Sequence, residues 1–118
     1  YHNMRGFGTN AGLQASVQFG NWLNEVVQDS NSNSDSNLKS NKYSNINSDQ
    51  ALDVNSLALN RKNKILNWEQ APSARAAHPY EDHLIPLISV IAAAGDDSGH
   101  VAYVDRVMNV DMASYYFD

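Results

Sequence analysis

Two prolines, Pro79 and Pro86, most restrict what this chain can fold into. They lie in AHPYEDHLIPL, residues 77–87, and each closely follows a histidine, His78 or His83. Pro79 suits the first turn of a helix, where φ is already set and a missing N–H costs nothing. His78, as the residue before a proline, is pushed towards extended geometry. Glu81 and Asp82 then fall in the first turn, where negative charge complements the helix dipole. His83 lies about one turn further in, ahead of the apolar Leu84, Ile85, Leu87, Ile88, Val90 and Ile91. Pro86 cannot donate to the carbonyl of Asp82, so the spacing predicts a helix over 79–94 that kinks or restarts just past His83. A histidine beside a helix break is placed to meet a ligand or a metal. Spacing alone favours the plainer reading, a His satisfied by a neighbouring carbonyl.

Elsewhere the chain alternates ordered and unordered patterns. Residues 1–12 are polar, with Gly6, Gly8 and Gly12 punctuating them, and read as a loop that lets backbone approach closely. His2 in such a loop is a functional candidate, although in isolation it reads as a tail histidine. Arg5 can bind a carboxylate or fix the loop through carbonyls, the second being favoured. Leu13, Val17, Trp22, Leu23, Val26 and Val27 form a helical stripe over 13–28. Phe19 and Trp22 share a face and are expected in the core rather than as a stacking platform.

Thirteen of the 22 residues in 29–50 are Ser or Asn. Such a segment cannot bury enough surface to offset its ordering entropy, so it reads as a disordered surface insertion. Helical spacing resumes and is expected over 57–68, with Arg61, Lys62 and Lys64 on a solvated face. Pro72 ends that helix. Arg75 is open to pairing with a neighbouring acid or with a substrate carboxylate. Beyond Gly95, DDSG reads as a turn. Alternating Val101, Tyr103 and Val107 predict a strand over 101–107, opened by a surface His100, and a second β run follows over 112–117.

Composition narrows the function. A net charge of −5 and a pI near 5.1 offer no basic patch for nucleic acid. No apolar run approaches the ~20 residues that span a bilayer. The absence of cysteine removes disulfides and thiolate metal sites, which is compatible with a reducing compartment, and a cytoplasmic location is expected.

HPYEDHLIPLISVIAAAG, residues 78–95, resembles the C-terminal motif of class III extradiol ring-cleavage dioxygenases, the LigB-like superfamily. The nearest branch is the DOPA-extradiol-dioxygenase-like group, with its acid–His–aromatic/Leu–x–Pro–Leu core. YHNMRGFG at residues 1–8 is similar to the family's His-Asn-Leu-Arg segment, with Met4 in place of Leu. Phe19 with Trp22–Leu23, and Asn67–Trp68 with Ala71–Pro72, give weaker matches in the right order. The resemblance implies an α/β fold, the C-terminal portion of a LigB-like mixed-sheet domain with flanking helices, over 1–118.

The same resemblance implies that His83 is a metal ligand and His2 the acid/base beside a bound catechol. His78 falls where the family keeps no strict ligand. The family's H-G-x-P and S-x-H-W segments, which carry its other two metal histidines, do not occur here. The chain is therefore expected to be part of a longer enzyme. The implied cofactor is non-haem Fe(II), with zinc compatible at the same imidazoles, and the implied partners are a catechol such as DOPA and O₂. Glu81 or Asp82 is the expected carboxylate orienting a ligand. A shared site requires the His2 and His83 rings to face one cleft, roughly 5–10 Å apart. The rival readings are a non-catalytic remnant and a His-ligated zinc hydrolase, the latter without an H-E-x-x-H signature.

Overall fold

The computed structural model describes residues 1–28 and 50–118, except for the side chains of 50–57. The insertion expected over 29–50 lies outside the described residues, apart from Gln50. Helices α1 (Asn10–Gln28), α2 (Gln50–Leu66), α3 (Ala74–Ala77) and α4 (Ile85–Ala94) precede strands β1 (Gly99–Val107) and β2 (Val110–Phe117). Short 3₁₀ turns occupy Met4–Gly6 and Trp68–Gln70. The chain is a small α/β domain in which α1 packs on an antiparallel hairpin.

α1 begins three residues before the stripe read from sequence, because Thr9 caps it. The Thr9 hydroxyl accepts from the Gly12 N–H at 2.9 Å and donates to the Gly6 carbonyl at 2.8 Å. Its buried face is Gly12, Ala15, Ser16, Phe19, Leu23, Val26 and Val27, the i, i+3, i+4, i+7 spacing of an amphipathic helix. Phe19, Leu23, Val26 and Val27 meet Ile65, Trp68, Ala77, Leu84 and Ile91 in the core. Phe19 is in that core, as expected, and Trp22 packs half-buried against it.

Two expectations for the helices are overturned. The turn of helix predicted from Pro79 is absent, and the helix starts only at Ile85, just past His83 where a restart was expected, with Pro86 in its first turn. A missing N–H is without cost there, because that donor has no intrahelical partner. Residues 79–84 form turns instead, closed by Leu84 and Ile85 N–H groups on the Glu81 carbonyl at 2.8 and 2.9 Å. Glu81 and Asp82 thus precede the helix. Arg61 is buried, not part of a solvated face. It lies one turn from Ile65 on the same helix side, donates to the Asp97 carbonyl at 2.9 Å, and stands 5.3 Å over the Phe117 ring. Its long stem is buried because the guanidinium finds those acceptors.

The hairpin turns through Met108 and Asn109, whose φ values of 49° and 62° suit a two-residue type I′ loop. Its tip is tied to the N-terminal loop: Gly8 N–H donates to the Met108 carbonyl at 2.6 Å, and Asn109 Nδ2 to the Thr9 carbonyl at 3.1 Å. Ser16 joins α1 to β2 by accepting the Asp111 N–H at 2.9 Å while donating to the Leu13 carbonyl.

Candidate functional site

The N-terminal loop lies against the segment leading into HPYEDH. His2 N–H donates to the Ala77 carbonyl at 2.9 Å, and Asn3 Nδ2 donates to the Ala76 carbonyl at 2.8 Å. Gly6 and Gly12 let the same loop pack against the start of α1, since a Cβ on Gly12 would lie 1.9 Å from the Gly6 oxygen. The loop after α3 is held from two sides. Leu84 is buried beneath it, and Arg75 spans it from above. Arg75 donates to the Pro79 carbonyl at 3.1 Å, pairs with Glu69 and Glu81, and rests 4.7 Å over the Trp68 ring. Of the two partners open to Arg75 from the sequence, the acids are the ones it meets.

This scaffold brings His2 and His83 together. Their rings stack with 3.4 Å between centroids and 29° between planes. The expected separation of roughly 5–10 Å, which left room for metal and substrate between the rings, is overturned: the two imidazoles are in direct contact. One donor atom each from His2, Asp82 and His83 lies within 4.8 Å of the others. His83 Nε2 stands 3.6 Å from Asp82 Oδ2, longer than a hydrogen bond. Glu81, the other carboxylate considered for orienting a ligand, is taken by Arg75, whose hydrogen bond lowers its pKa.

His83 also lines a cavity of about 360 Å³, within the range of small-molecule sites. Tyr1, Phe19, Leu23, His78 and Tyr115 form much of its wall. His2 is not in the lining; its ring lies against that of His83. The Tyr115 hydroxyl donates to Asn24 Oδ1 at 2.9 Å, and burial pushes its pKa up to about 12.

His78 was legible only as a pre-proline residue, and it is the main feature the sequence hid. It is 4% exposed, with Phe19 5.2 Å and Trp68 6.4 Å away between ring centroids. Burial pulls its pKa down to about 4. His100 is at the surface as expected, where it meets Asp118 Oδ1 at 2.7 Å and stacks on Tyr116.

The chain matches no protein-family model, no curated protein and no solved structure. No described helix is long and apolar enough to cross a membrane.

Proposed function

We propose that this chain carries the substrate-facing part of an extradiol dioxygenase, with His83 as a ligand to non-haem Fe(II) and His2 as the acid/base. The hairpin would then be part of a larger LigB-like mixed sheet, and the remaining ligands would come from outside the chain. One observation carries the reading. Two histidines 81 positions apart lie ring against ring, and one of them opens onto an aromatic-walled cavity.

The donor chemistry fits the metal. Imidazole and carboxylate are the ligands of non-haem iron oxygenases, and His83 is exposed enough to be reached. Bound there, iron would hold catecholate and O₂ together on its open positions. The stacked rings admit nothing between them, so a catechol would approach His83 from the cavity side, its ring against Phe19 and Leu23. His2, once swung off the His83 stack to the cavity mouth, would take the phenolic O–H proton and later return it. Asp82, beside His83 Nε2, would steady that imidazole electrostatically.

A second reading, a His-ligated zinc centre, is favoured by the convergence of His2, Asp82 and His83 donors. Oxygen uptake separates the two. With a catechol such as DOPA, the intact enzyme should consume one O₂ per ring opened, and the chain expressed alone should consume none. Catechol-dependent uptake by the isolated chain, or none by the intact enzyme, would contradict the proposal.

A further inference from the structure

We infer that His78 is a substrate-contacting group that donates a hydrogen bond from Nε2–H to a phenolic oxygen of a catechol held in the cavity. This rests on the dioxygenase reading and adds to it a residue that the family resemblance does not place at the site.

The argument begins with a buried ring whose polar atoms are not all used. Nδ1 of His78 is sealed from solvent and has no hydrogen-bond partner. Buried polar side chains normally have one, and a histidine serving only to fill the core would be replaced at little cost by an apolar ring. An orphaned N–H is rarer in protein interiors than an under-used acceptor, so the proton belongs on Nε2. With Nδ1 sealed, Nε2 is the nitrogen left to face the cavity that the ring lines.

The ring is also rigid. Phe19 and Trp68 pack around it, and its backbone N–H is fixed on the Ala74 carbonyl at 2.8 Å. A donor held this way loses little entropy when a ligand arrives. The surroundings suit a flat phenolic ligand, with Phe19, Leu23 and Tyr115 offering apolar and aromatic surface and His83 on the same lining. Because burial keeps the imidazole neutral near pH 7, it offers one directed N–H rather than a diffuse positive charge.

Catechol titrated into the metal-free protein, followed by ligand NMR and by the ¹⁵N signals of the histidine rings, tests this. The His78 Nε2 signal should shift on saturation. His78→Phe should fold at least as stably yet bind catechol about tenfold more weakly, the order expected for one lost hydrogen bond. His78→Asn, which keeps a donor, should recover part of that loss. Equal binding by His78→Phe, or ring nitrogens of His78 unmoved in the wild type, would overturn the assignment and leave the dioxygenase reading standing. A metal-free wild type that binds no catechol would also overturn the assignment, while the dioxygenase reading stands or falls on oxygen uptake by the intact enzyme.

Discussion

The imidazoles of His2 and His83 lie face to face, 3.4 Å apart between centroids. Neither is held there by its own side chain. His2 is positioned by its backbone N–H on Ala77, and His83 by a turn anchored through Leu84, Glu81 and Arg75. The site is a seam between a loop and a turn, and it inherits the stability of both.

The loop side of the seam depends on Gly12. A glycine inside a helix normally makes replacement by Ala favourable by about 0.5–1 kcal/mol. Here the new Cβ would stand 1.9 Å from the Gly6 oxygen and 2.6 Å from its carbonyl carbon, atoms of backbone that cannot rotate away. Gly12→Ala should therefore destabilise by roughly 1–3 kcal/mol and push the His2 loop outward. Urea unfolding checks the sign, and a gain in stability would show that the loop is free to move.

Arg75 secures the turn side. Its ion pairs are largely exposed and worth little individually, so Arg75→Ala should cost only about 1 kcal/mol globally. Locally it should matter more, because the Pro79 carbonyl and Glu81 lose their common partner. Hydrogen exchange at the Leu84 and Ile85 amides, which close the turn on Glu81, should accelerate while that of α1 stays unchanged. Unaltered exchange at those two amides would contradict the clamp.

His78 makes stability depend on pH. The group titrates near 6.5 in the unfolded chain and at about 4 in the fold. Between those values the unfolded state binds the extra proton, so folding stability rises with pH across the window. The contribution is complete above pH ~6.5 and is lost as pH falls towards 4, amounting to roughly 3 kcal/mol. His78→Asn should flatten the slope of unfolding free energy between pH 4 and 6.5. An unchanged slope would mean that another group carries it.

Much of this arrangement was readable from single residues with strong local rules. The stripe ending in Val26–Val27 gave α1, and the β-branched and aromatic alternation after Gly95 gave both strands. No local rule singled out His83 and His2; only the resemblance of HPYEDH and YHNMRG to family motifs did, and local spacing favoured plainer roles for both. The misreadings have one cause, which is that tertiary partners override local preference. Pro79 and Pro86 are equally plausible helix starters, and only the burial of Leu84 and the hold of Arg75 favour the second. Arg61 looks like a surface cation until the Asp97 carbonyl and Phe117 arrive from 36 and 56 positions away. The environment of His78 is built from Phe19 and Trp68, distant in sequence, so no spacing rule could reveal it.

The proposed division of labour between the two stacked histidines is tested most directly by iron content alongside turnover, in the longer enzyme that the proposal implies, carrying His83→Ala or His2→Ala. His83→Ala should lose the metal, and ring cleavage with it. His2→Ala should keep stoichiometric iron and bind catechol, yet cleave at least ~10²-fold more slowly, the lower range for a lost general acid/base. Stoichiometric iron in His83→Ala, or loss of iron in His2→Ala, would contradict the assignment of one ring to the metal and the other to the proton.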